Sequence, residues 1–149
     1  AVLSKQGRMD LASTMLREAV DMDPESAQAW GNLGVVMLRQ GEVQEALAAL
    51  RRARVLAPGD ALVSYNLARA FEAMGETSQA ISAYETAIAA DPGLEDAYLG
   101  LARVLVEADR YATARVVLGE FLRRFPRSES RGRAEEALRE LASLGPGRG

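Results

Sequence analysis

The chain contains no cysteine and no histidine. That excludes disulfides, thiolate nucleophiles, imidazole acid–base chemistry and zinc sites of the usual Cys/His kind. Aromatics make up only 5% of residues, which argues against a β-sandwich and for helices that approach closely. Lysine is nearly missing: Lys5 is the sole one, and the other cations are Arg. With so much Ala and Gly, this reads as the codon bias of a GC-rich genome. No run of about 18 apolar residues occurs, so no membrane-spanning helix is expected. The start, "AVLSKQGRMD", lacks both an initiator Met and the layout of a signal peptide. A processed chain or a fragment is the expectation. The expected location is cytoplasmic, or periplasmic if an upstream signal was removed.

What is present fits one ordinary domain with a real core: 149 residues, 48% hydrophobic and 26% charged. The net charge of −3 names no partner. Residues 123–149 are locally basic, with seven cations against four acids.

The informative feature is a period. Pro24, Pro58, Pro92 and Pro126 are each 34 residues apart. The same step links Gly7, Gly41 and Gly75; Ala12, Ala46, Ala80 and Ala114; and Leu16, Leu50, Tyr84 and Leu118. It also links Leu33, Leu67 and Leu101, and Met37, Phe71 and Leu105. So many registers in phase mark an internal repeat. Each unit reads as two amphipathic helices, in the clearest copy about 26–40 and 42–57. Gly41 ends the first helix, because a left-handed residue there carries no Cβ penalty. The prolines end the second, since Pro disfavours helical geometry in the residue before it. Small residues at Gly34 and Ala46 form notches where the two helices cross; Trp30, Leu33, Met37 and Leu50 are the knobs around them. Ala68 with Ala80, and Ala102 with Ala114, repeat the notch.

In this pattern Trp30, Leu33, Gly34, Met37, Ala46, Leu50, Ala53 and Pro58 resemble the signature of the tetratricopeptide repeat (TPR) family. The resemblance covers residues 1–128, as a partial repeat (1–26) and three full ones (27–60, 61–94, 95–128). It implies an all-α, right-handed superhelical solenoid of antiparallel helix pairs. Of the partial repeat's first helix, only "AVLSKQ" remains. Asp109 stands where Gly would, and Phe121 where the other copies have Ala19, Ala53 and Ala87; its ring should pack toward a final helix. That capping helix, within 129–144, should bury Ala134, Ala137, Leu138, Leu141 and Leu144. Residues 145–149 should fray.

The resemblance also implies where function sits. In the family, first helices line the concave face and hold extended peptides or helices. By position, the inner surface would include Gln28, Gly31, Asn32, Val35 and Arg39, then Leu62, Tyr65, Asn66, Arg69 and Glu72. The third helix would add Asp96, Leu99, Gly100, Arg103 and Glu107. Asn32 and Asn66 are equivalent, and an Asn amide both donates to and accepts from a peptide backbone; this ladder breaks at Gly100. Arg39, Arg69 and Arg103 offer forks to carboxylates, unless Glu72, Asp96 and Glu107 neutralise them. Tyr65 and Leu99 would anchor a partner side chain or simply pack between helices. A subgroup of the family clamps chaperone C-termini with Lys, Asn and Arg. At the corresponding places stand Gly31, Val35, Asn66, Asp96 and Gly100, so only the Asn survives and chaperone clamping is not expected.

The expected function is a non-catalytic protein-interaction scaffold, without cofactor or metal. No nucleophile–base pair or phosphate loop accompanies the carboxylates. "FLRRFPRSESRGR" at 121–133 has the cations and rings of a nucleic-acid surface, but its Phe spacing suits a core, and a solvated basic face is the preferred reading. The competing reading is self-assembly: the uncapped N-terminal repeat could pair with another copy. The segment from Phe121 onward loosely resembles repeat ends of bacterial envelope-assembly proteins.

Overall fold

The computed structural model describes residues 4–145 and 147. Among these are eight α-helices and no strand: α1 Lys5–Met22, α2 Ala27–Gln40, α3 Val43–Leu56, α4 Ala61–Ala73, α5 Thr77–Ala90, α6 Glu95–Glu107, α7 Tyr111–Arg124 and α8 Arg131–Ser143. Each packs on its neighbours in chain order. In addition α2 touches α4, and α4 touches α6, whereas no comparable contact joins α3 to α5 or α5 to α7 among the described residues. The first helix of each pair therefore lies on the tighter, concave side of a helical solenoid.

The hairpins close by one repeated device. At the first turn the Gly41 N–H donates to the Leu38 carbonyl and the Glu42 N–H to that of Met37, at 3.1 and 2.9 Å, with Gly41 left-handed at φ 80°. These bonds satisfy carbonyls that the helix end would otherwise leave unpaired. Gly75 and Glu76 repeat it on Glu72 and Phe71, and Asp109 and Arg110 on Val106 and Leu105. Asp109 thus takes the glycine's left-handed role, at φ 58°, and its carboxylate accepts from the Tyr111 hydroxyl at 2.9 Å. Asp is one of the few residues that tolerate this region.

The crossing notches are filled as the small residues require. A Cβ on Gly34 would lie 2.5 Å from Leu50 Cγ. Ala46, Ala68, Ala80 and Ala114 are wholly buried. Trp30 Nε1 donates to the Pro24 carbonyl, and two repeats on Tyr98 Oη donates to that of Pro92. Each ring thereby fixes the linker that precedes its own helix. Phe121 is fully buried in a cluster that includes Ala134 and Leu141 of α8, with the Phe125 ring 5.3 Å away.

Two expectations need correction. Gly7, in register with the turn glycines, is helical. The Ser4 Oγ accepts from the Gly7 N–H at 3.1 Å, starting α1 at Lys5 and carrying it through without a break. Lys5 and Gln6 therefore belong to a lengthened second helix and are not the remnant of a first. Leu144 follows the end of α8 and is 56% exposed. Residues 1–3, 146, 148 and 149, which carry the rest of the "AVLSKQ" remnant and most of the expected frayed tail, lie outside the described residues.

Candidate functional site

On the concave side the predicted residues occupy α2, α4 and α6 at 34-residue intervals: Asn32 with Asn66, Tyr65 with Leu99, Arg69 with Arg103. Asn32 and Arg39 are exposed, and Tyr65, Asn66, Arg69 and Leu99 are half-buried. Asn66 Oδ1 accepts from Arg69 Nη1 at 3.4 Å, leaving the Asn66 amide N–H groups to donate elsewhere. The Arg69 guanidinium lies 5.9 Å from the Tyr65 ring centre, within cation–π range.

The centre of the face is a polar network: Glu72 neutralises Arg103, one of the pairings the sequence allowed, and Tyr84 joins them, which it did not reveal. Tyr84, on α5, donates its hydroxyl to Glu72 at 2.7 Å. Arg103 binds the same carboxylate through Nε and Nη2, at 2.6 and 3.0 Å. Burial alone would raise the Glu72 pKa. The hydrogen bonds from Arg103 and Tyr84 outweigh it, and the carboxyl sits below its ordinary value. Burial, and then the adjoining Glu72 carboxylate, push the Tyr84 phenol well above its ordinary value. Tyr65, whose ring centre is 5.9 Å from that of Tyr84, is raised by burial first and by Asp96 next. Arg103 is accordingly neutralised by Glu72, while Nη1 keeps its donors. Of its two expected roles, Tyr65 shows the packing one, its ring set against that of Tyr84, and it stays half-buried.

Gly100 is not a surface position. It is buried, and a Cβ there would meet Tyr84 Cε1 and Cζ at 2.5 Å. By the 34-residue repeat the positions equivalent to 84 and 100 are 50 and 66, where Leu50 stands with the full side chain of Asn66; the larger Tyr84 ring leaves no room for a third Asn. The Asn ladder stops for this steric reason. The one signal in the sequence was Tyr84 itself, standing where the other copies have Leu16, Leu50 and Leu118.

Leu99 and Arg103 also border a cleft of about 310 Å³ between α6, α7 and α8. Its floor is apolar, from Ala102, Val106, Leu118, Ala134 and Ala137, and its rim carries Glu107, Ser130 and Arg133. The α8 side of this cleft is not legible in the sequence, where the apolar spacing of that helix marks only a cover. No cluster of residues that could hold a metal occurs among the described residues, and no described helix is long and apolar enough to cross a membrane.

Comparison with known proteins agrees with this architecture. The chain matches profiles of the tetratricopeptide repeat at residues 2–61 and 71–132. A comparison with curated proteins found no match. Among solved structures, that of MamA superposes with a TM-score of 0.85 at 21% identity, covering 97% of this chain and 86% of the other. The TPR2B domain of yeast Sti1, in a complex with pHsp70, gives 0.74 at 21% identity, covering 79% of this chain and 97% of the other. The first TPR of Spaghetti (RPAP3), bound to an HSP90 peptide, gives 0.71 at 19% identity, covering 79% and 94%. At these identities the structures speak for the fold, and together with the two profiles they place the chain in the tetratricopeptide repeat family.

Proposed function

We propose that the chain is a non-catalytic protein-interaction scaffold that holds an extended partner segment along the face of α2, α4 and α6. The observation that carries this is the open apolar cleft beside Leu99 and Arg103, at the end of a face already lined by Asn32, Asn66, Tyr65 and Arg69. An apolar cleft ringed by a few polar groups is the usual form of a binding site. Asn32 and Asn66 hold the partner backbone, and Tyr65 and Leu99 take apolar side chains. Arg39 and Arg69 choose among polar ones, and Arg103, neutralised by Glu72, adds only its Nη1 donors. Two structural neighbours hold chaperone-derived partners, which supports peptide binding as a use of this fold. The partner here is a different one, since Gly31, Val35, Asp96 and Gly100 cannot supply a chaperone clamp. Affinity capture from source-cell lysate tests the reading, comparing wild type with Asn32→Ala/Asn66→Ala after circular dichroism shows equal helicity. Loss of specific proteins in the double variant supports the groove; identical retention refutes it.

A second reading, self-assembly, rests on α1. Leu11, Met15 and Met22 are 51%, 60% and 87% exposed on it. Ala12, Leu16 and Ala19 are only half-buried, where their equivalents Ala46, Leu50 and Ala53 are fully covered. Sedimentation of wild type against Leu11→Glu/Met15→Glu decides it: a wild-type monomer rules it out.

A further inference from the structure

We infer that the N-terminal end of the concave face is a docking site for an acidic partner segment that carries an apolar side chain. The inference rests on the groove reading above and names the chemistry of the segment. Because α1 begins at Lys5 and runs straight through Gly7, Lys5, Arg8, Met9 and Ala12 fall on one stripe of that helix. The stripe faces Val36 and Arg39 of α2 across a cleft of about 490 Å³. Three cations line this cleft and no acid does. Lys5, Arg8 and Arg39 are exposed and have no ion pair or hydrogen bond among the described residues. Asp10, the closest acid along α1, instead accepts from Gln6 and Gln40.

On a chain of net charge −3, three unpaired cations around one cleft make a local field of opposite sign. Such a field attracts carboxylates, and the two Arg forks bind them in a fixed geometry. The floor of Met9, Ala12 and Val36 offers contact to an aliphatic side chain, which a phosphate polymer lacks. That favours an acidic peptide over a nucleic acid. The cleft also leads directly to Asn32, one turn before Val36 on α2, so a segment seated here enters the Asn-lined face.

The test uses a fluorescein-labelled peptide with one central Leu flanked on both sides by Asp and Glu. Its control has Asn and Gln at the acidic positions. Fluorescence anisotropy is read at low and moderate salt for wild type, Arg8→Gln/Arg39→Gln and Asn32→Ala/Asn66→Ala, each shown by circular dichroism to fold alike. The acidic peptide should bind and the control should not. Binding should weaken with salt, and on the order of tenfold or more in the Arg variant. If the acidic peptide fails to bind, binds no better than its control, or binds the Arg variant unchanged, the inference is overturned. Tighter binding of a single-stranded oligonucleotide or of phosphatidylserine vesicles also overturns it. Loss in the Arg variant with none in the Asn variant upholds the cationic cleft and refutes the groove beyond it. Loss in the Asn variant alone does the reverse.

Discussion

Gly100→Ala is the most exacting test of the concave network. An added methyl group would lie 2.5 Å from two carbons of the Tyr84 ring and 2.8 Å from its hydroxyl. In a helix interior, Gly to Ala ordinarily stabilises by about 1 kcal/mol. Overpacking a closed site costs about 1–3 kcal/mol. The ring is wholly buried and its hydroxyl is tied to Glu72, so it has little room to retreat. The clash should win, with a net loss of about 1 kcal/mol. In a Tyr84→Leu background the sign should reverse. One repeat earlier the positions equivalent to 84 and 100 hold Leu50 and Asn66, so a Leu at the first goes with a full side chain at the second. There Gly100→Ala should stabilise by about 1 kcal/mol, giving a coupling of about 2 kcal/mol. Urea unfolding followed by far-UV circular dichroism measures all four corners of the cycle. The slopes must agree, because helical arrays need not unfold in one step. An effect of the same sign in both backgrounds would refute the steric account of the broken Asn ladder.

Ala80→Leu places three extra carbons in a wholly buried crossing opposite Ala68, and should destabilise by about 1–3 kcal/mol in the same unfolding assay. An unchanged midpoint would show that the notch is not tight. Glu72→Gln keeps the shape and removes the charge that Arg103 grips. Because Arg103 is half exposed, the expected loss is only about 1 kcal/mol at neutral pH. The folded pKa of Glu72 is depressed, so its contribution is present above the ordinary value of 4.5 and disappears as pH falls through the lower folded one. Wild type and variant should therefore converge in acid; a constant gap contradicts the assignment. Tyr65, Tyr84 and Tyr98 are all raised above 10.0, with burial the largest cause in each. Their contribution to stability is complete below that value and is lost as pH rises through the raised ones. Phenolate absorbance should develop late, and Tyr84→Phe should remove its last component. A titration complete near the ordinary value would exclude the buried network.

The solenoid was legible because repetition multiplies weak signals. One Gly or one Pro says little, but Gly41 with Gly75 and four prolines in phase fix both ends of each hairpin. The turn hydrogen bonds at Met37, Phe71 and Leu105 reproduce that phase in the backbone. Phase misleads where a local interaction overrides it. Gly7 shares the register, yet the Ser4 cap supplies a helix start and nothing requires a turn there, so the residue stays helical. Leu144 continues the apolar spacing of α8, but the helix stops at Ser143 and the side chain misses the core.

The site was legible only in part, because period assigns a residue to a face without assigning it a partner. Asn32, Asn66, Arg69 and Arg103 fall on the expected helices, yet which cations stay free depends on contacts across repeats. Arg103 is consumed by Glu72, 31 positions earlier, whereas Arg39 keeps its donors beside Lys5 and Arg8. Both outcomes trace to local departures from the repeat. A Leu position occupied by Tyr84 excludes a side chain at position 100 and brings a hydroxyl to Glu72, which fixes Arg103. A cap at Ser4 lengthens α1 and brings two cations to Arg39. What the copies share thus builds the wall. What distinguishes this chain's concave face, neutral and networked at its centre and cationic at α1, comes from the positions where one copy breaks the pattern.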